Sequence, residues 1–120
     1  SPQIHAYLGN YPYQLIEKEP EELETFLLLG DFTGLNVTMP YKQSVIPYLN
    51  EVTHVVQNIG AVNTIYRHHG KLIGHNTDYF GFEYMIDSSK ISVEGKKALV
   101  FSETRTDLTK KNKSFLRKNR

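Results

Sequence analysis

The chain contains no cysteine and no tryptophan. Lacking cysteine, it has no disulfide framework and no thiolate nucleophile or metal ligand, and a reducing, cytoplasmic setting is the expectation. No apolar run approaches the ~20 residues that a bilayer-spanning helix needs. No leader with a charged start and an apolar middle is visible, so no membrane partner is expected. Glycine is absent after Gly95, which excludes a glycine-rich phosphate loop from the last part of the sequence.

What is present fits one modest core. The 120 residues are 39% apolar and 22% charged, enough for a single domain or a piece of a larger protein. Net charge is +1, but it is unevenly spread. Residues 1–100 carry 7 basic against 11 acidic side chains, a net of −4, and residues 101–120 carry 7 against 2, a net of +5. The segment 101–120 is polar and without periodicity, and reads as a disordered or non-native tail. It lacks aromatic interleaving apart from Phe115, so no nucleic-acid partner is expected.

Periodicity predicts an alternation of strands and helices. Tyr11-Pro-Tyr-Gln-Leu-Ile-Glu17 alternates as a strand. Pro20 to Gly30 reads as a helix, with proline at its start, acids in its first turn and glycine at its stop. Phe32 to Val37 is a second strand, Pro40 opens a helix to about Leu49, and Val52 to Ile59 is a short helix stopped by Gly60. Ala61 to Arg67 and Lys71 to Asn76 are strands joined through His68-His69-Gly70, an antiparallel hairpin. Asp78 to Ile86 is helical and Lys96 to Phe101 is a last strand. This order predicts an α/β fold, a three-layer sandwich with a mostly parallel sheet and one antiparallel hairpin. No strand precedes Ser1, so a first strand of the sheet is expected to be missing, leaving an edge through which copies could self-associate.

Three segments carry polar groups at chain turns: Gly34-Leu-Asn-Val-Thr-Met-Pro-Tyr-Lys42, Gly60-Ala-Val-Asn-Thr64 and Gly74-His-Asn-Thr-Asp-Tyr-Phe-Gly81. Lys42, placed in the first turn of the Pro40 helix, would feel the positive end of its dipole, which favours proton exchange near neutral pH. The competing reading is a solvated surface lysine. Asp78 is its natural partner, and the competing reading there is a helix N-cap. In open α/β sheets ligands lie beyond the carboxyl ends of strands, where Thr38, Lys42 and Asp78 fall and which Asn63 can reach. Short neutral donors and acceptors suit a polyhydroxylated ligand. The five histidines show no ligand-like spacing, so no metal is expected; His68-His69 faces water at the hairpin tip.

These three segments closely resemble the substrate-binding domain of shikimate dehydrogenases, which carries N-V-T-x-P-x-K, G-A-V-N-T and G-x-N-T-D-x-x-G in this order and at similar spacing. Three linked motifs in order make the likeness specific, and it extends over about Ser1 to Val100. Ser1-Pro-Gln-Ile-His5 resembles the second half of the family's S-x-S-P-x-I-H segment, whose paired serines hold the substrate carboxylate; here only Ser1 is present. The resemblance implies that Ser1 binds the carboxylate, that Thr38, Asn63 and Asp78 hydrogen-bond ring hydroxyls, and that Lys42 and Asp78 form the catalytic pair. In the family NADPH delivers hydride to 3-dehydroshikimate, while the Lys/Asp pair handles the proton on the oxygen to give shikimate.

The sequence also departs from the family. The NADP-binding domain, with its glycine-rich loop, and a later glutamine that completes the substrate site are absent. Arg105-Thr106 resembles a pair lying near the NADP phosphate, but without the loop before it we read the match as chance. We therefore expect the substrate half of a dehydrogenase, by truncation, frame shift or because the sequence is part of a longer chain. As an isolated chain it is expected to hold no NADP and to be inactive. Two alternatives stay open: a non-catalytic binding or self-associating remnant, and a piece of a quinate/shikimate dehydrogenase, a class in which NAD is also used.

Overall fold

The computed structural model describes residues 1–97 and 99. They fall into two compact units, Ser1–Asp31 and the residues from Phe32 onward. The expected last strand, Lys96 to Phe101, lies mostly outside the described residues, and its described members Lys96, Lys97 and Leu99 are not in a strand. The expected tail from residue 101 lies outside them altogether.

In the first unit, helix α1 (Pro2–Leu8) opens on Ser1 as N-cap with proline at its first position. The His5 ring stacks on Tyr13 at 3.9 Å between centroids, and its Nδ1 lies 2.6 Å from the Tyr11 hydroxyl. The strand expected from Tyr11 to Glu17 is not formed. A strand needs a neighbour to take its backbone hydrogen bonds, and this unit contains no other. After it, Pro20–Glu22 forms one 3₁₀ turn with reciprocal capping between Glu19 and Glu22. Helix α2 (Leu23–Leu29) then buries Leu23 and Leu27, four residues apart on one face, and exposes Leu28 and Leu29.

The second unit is built on a four-stranded sheet: β1 (Gly34–Asn36), β2 (Glu51–Val52), β3 (Thr64–His68) and β4 (Lys71–His75), in the order β1-β3-β4-β2. β3 is antiparallel to both β1 and β4, and β2 is parallel to β4. Three strands therefore run one way, and the reversed arm of the hairpin lies among them. Because that arm sits second in the order, only one neighbouring pair is parallel, fewer than the expected mostly parallel sheet suggests. The hairpin turn is two residues, His69 (φ 49°) and Gly70 (φ 75°), both left-handed. That is the backbone a two-residue link demands if it is to match the strand twist.

The core of this unit is Val45, Val56, Val62, Ile65 and Leu72, each nearly inaccessible. Alternation in the hairpin turns Ile65 and Leu72 inward while Tyr66 and Lys71 face out. Gly74 is required in β4: a Cβ there would lie 2.5 Å from Leu49 Cδ1 and 3.0 Å from Val62 Cγ2. Helix α3 (His54–Ile59) lies against β4 and ends at Gly60, whose φ of 73° supplies the left-handed cap.

The helix expected from Pro40 to Leu49 is not formed. A run of turns follows the cis Met39–Pro40 bond and leads into a 3₁₀ turn at Ile46–Tyr48. Pro47 is the physical reason: it lacks an N–H, its ring clashes with the carbonyl four residues back, and it disfavours α geometry at Ile46. Hydrogen bonds from Ile46 N–H to Gln43 and from Tyr48 N–H to Val45 span three residues, as 3₁₀ geometry requires. Helix α4 (Asp78–Ser89) forms as expected and runs three residues further, to a left-handed Lys90.

Candidate active site

The strand directions bring one edge of the sheet together. β1 and β4 point the same way, so their carboxyl ends share an edge with the start of the reversed β3. Thr38 follows β1, Asp78 follows β4 and Asn63 precedes β3, so all three stand at that edge. Sequence periodicity alone left the position of Asn63 open; the hairpin reversal decides it.

Lys42 Nζ donates to Asp78 Oδ2 at 2.8 Å. Lys42 is about one quarter exposed and Asp78 about two thirds, their side chains keeping 27% and 63% of their surface, so the pair is open to a ligand from solvent. The Asp78 carboxyl is held below its ordinary value. The Lys42 hydrogen bond is the largest cause; partial burial works against it, and the Lys42 charge and the Asn63 amide add to it. Asp78 is also the first residue of α4, where the helix dipole favours an anion. The dipole argument for Lys42 does not survive, because Lys42 lies in turns rather than in an α-helix. Its position comes instead from its backbone carbonyl, which accepts the Val62 N–H at 2.7 Å and ties its loop to the loop holding Asn63.

Asn63 is heavily engaged within the protein. Its Oδ1 accepts the Thr77 N–H at 2.9 Å and the Thr64 hydroxyl at 3.0 Å, while its Nδ2 donates to Thr77 Oγ1 at 2.9 Å. Both acceptor positions on the oxygen are thus taken, and what Asn63 can offer a ligand is the N–H that it otherwise turns toward the Asp78 carboxylate. Thr38 is exposed, and its carbonyl accepts the Tyr41 N–H in the turn leading to Lys42. Ser1 belongs to the other unit, where it caps α1 at an exposed position. The structure thus directly joins Lys42 to Asp78 and Asn63 to Thr77, and places Thr38 on the same sheet edge.

Two neighbours of Asp78 escaped the sequence reading. Thr77 is the partner of Asn63 and holds the cap position of α4, while Asn76, one residue before it, supplies the capping acceptor: its Oδ1 accepts the Tyr79 N–H at 3.2 Å. Capping, the alternative role considered for Asp78, therefore falls to Asn76. An asparagine two residues before a helix was the available signal. Among the described residues no group of three or more His, Asp or Glu is placed to hold a metal ion, and no helix is long and apolar enough to cross a membrane.

The start of α4, the longest helix among the described residues, does not suit a phosphate: it presents the Asp78 carboxylate in its first turn and its Tyr79 N–H is already taken.

The class these features define is an α/β domain whose strand ends gather a solvent-open Lys/Asp ion pair and an asparagine at one sheet edge. The family described as shikimate dehydrogenase substrate binding domain matches residues 1–65, and the chain belongs to it. Among curated relatives, a shikimate dehydrogenase (NADP(+)) of Halothermothrix orenii is 45% identical, with 83% of this chain and 38% of that protein covered. One of Carboxydothermus hydrogenoformans is 42% identical, with 83% and 39% covered. The chain thus spans about two fifths of the length of these relatives. Among solved structures, shikimate dehydrogenase 1 of Peptoclostridium difficile superposes with a TM-score of 0.70 at 35% identity, over 78% of this chain and 38% of that one. The shikimate 5-dehydrogenase of Listeria monocytogenes, in complex with shikimate and NAD, gives 0.66 at 30% identity, over 78% and 34%.

Proposed function

We propose that this chain is the substrate-holding part of a shikimate dehydrogenase and that its sheet edge binds shikimate or 3-dehydroshikimate. The Lys42–Asp78 contact of 2.8 Å, set beside Asn63, carries the reading. Lys42 Nζ exchanges a proton with the oxygen of the reacting ring carbon, and Asp78 Oδ2 holds the ammonium in place for it. Thr38 and Asp78 hydrogen-bond ring hydroxyls, and Asn63 donates its N–H to one. No redox step is assigned to the described residues. The relatives' names carry NADP(+), while the Listeria structure holds NAD, so either nicotinamide suits the family. The reading carries a cytoplasmic setting with it.

The test is titration of the purified chain with shikimate, followed by amide chemical shifts. Saturable shifts at Thr38, Lys42, Asn63 and Asp78, lost in Lys42→Ala, are expected; an unperturbed spectrum at saturating shikimate would overturn the reading. Quinate as a competitor separates the quinate/shikimate alternative. The chain alone, free of host enzyme, is expected to reduce no dehydroshikimate with NADPH, and measurable turnover would overturn that.

The non-catalytic alternative rests on a different observation: β1 and β2 are the outermost strands of the described sheet. Pairing of copies through such an edge predicts a mass in light scattering that rises with concentration, and a constant monomer mass argues against it.

A further inference from the structure

We propose that Asn76 is a positioning residue for the Lys42–Asp78 pair, strapping the start of α4 to the loop that carries Asn63. The inference rests on the reading of Lys42 and Asp78 as the proton-transfer pair, and it deepens that reading.

Asn76 is the one buried polar side chain among the described residues, only 4% exposed. Its two ends hold different elements. Oδ1 accepts the Tyr79 N–H at 3.2 Å, capping α4, while Nδ2 donates to the Ala61 carbonyl at 3.0 Å, in the loop before β3. Asp78 lies between the residues this carboxamide fixes, and Asn63 lies two residues past Ala61. On the other side of the same loop, Val62 N–H bonds to the Lys42 carbonyl. The three segments therefore form one connected frame: the Lys42 turn to Val62, Ala61 to Asn76, and Asn76 to the first turn of α4. Removing the middle link leaves only the exposed Asn63–Thr77 bonds to register the helix end that carries Asp78 to the Lys42 loop. In a buried setting such a bond cannot be replaced by water, so its loss acts on geometry as well as on stability.

The alternative is that Asn76 only stabilises the turn. The two roles differ in what they do to Asp78. The experiment is a carboxyl ¹³C titration of Asp78 in the wild-type chain and in Asn76→Ala, with folding of both verified by amide spectra. Positioning predicts that Asp78 titrates at higher pH in the variant, moving toward an ordinary carboxylate, and that shikimate affinity falls at least several-fold. An unchanged Asp78 titration in a folded variant would overturn the proposal. Asn76→Ser keeps a neutral acceptor at the helix start and is too short to donate to the Ala61 carbonyl, so it separates the strap from the cap without adding charge and is expected to move Asp78 likewise.

If neither variant folds, the wild-type chain decides. Slow exchange of the Asn76 side-chain amide protons and a scalar coupling across the bond to the Ala61 carbonyl carbon are expected, and their absence overturns the proposal. The two readings fail separately. A wild-type chain that ignores shikimate while Asn76→Ala still shifts Asp78 defeats the function and leaves the strap standing. Shikimate binding with an unmoved Asp78 does the reverse.

Discussion

At the scale of single residues, Lys42 and Asp78 make each other useful. A carboxylate held by an ammonium stays charged, and the ammonium it holds is kept in one place. The pair is too open to matter much for folding: exposed ion pairs contribute about 0.2–1 kcal/mol. Because the folded Asp78 carboxyl lies below its unfolded value, its contribution is present above the unfolded pKa and lost as pH falls through the folded one. We therefore expect Asp78→Asn to be slightly less stable than wild type at neutral pH, with the gap closing below about pH 4. Urea midpoints at neutral and acid pH check this; a gap that widened in acid would refute it. Lys42→Ala should release Asp78 to titrate at higher pH, as carboxyl ¹³C shifts would record. Both side chains stood out in the sequence, because motifs with fixed spacing isolate them. Asn76 did not, since its role depends on a carbonyl fifteen residues away.

At the scale of elements, local chemistry was readable wherever it was self-sufficient. The hairpin, α2, α3 and α4 formed where turn residues and caps placed them. Gly70 has open space around it, so its requirement is purely conformational. Gly70→Ala should destabilise by about 1 kcal/mol through its positive φ, visible as a lower urea midpoint. Gly74 is the opposite case, an extended position with no room. Gly74→Ala should cost about 1–3 kcal/mol by overpacking against Leu49 and Val62, with part recovered in a double variant with Leu49→Ala. A fully additive double variant would show that Leu49 is not what the new methyl meets. Helix α1 and strand β2 formed where none was expected, β2 taking Val52 from the start of the expected Val52–Ile59 helix, and two expected elements did not form. The Pro40 helix was stopped by Pro47, a residue visible in the sequence whose effect outweighed the favourable start. The Tyr11–Glu17 strand had the right alternation but no neighbour within its unit, and alternation alone does not supply hydrogen-bond partners.

At the scale of the whole molecule, the second unit gathers its core around one hairpin. Ile65 and Leu72 fill the inward positions on its two arms, and Val62 packs beside Gly74. Ile65→Ala should cost about 2–5 kcal/mol and take the site with it, since β3 begins one residue after Asn63. Denaturant unfolding gives the cost, and loss of the shikimate-induced shifts gives the coupling. By itself, the order and spacing of three short motifs determined the family, the Lys42–Asp78 pairing and the candidate ligand groups, because those depend on residue type at fixed separation. Tertiary structure alone decided that Asn63 reaches the same edge, through reversal of β3. It also decided that Asn63 spends its oxygen inside the protein, and that Asn76 rather than Asp78 caps the helix. The first two depend on where a distant backbone group lies, which residue order does not specify, while the cap is local and was decided by where the helix begins.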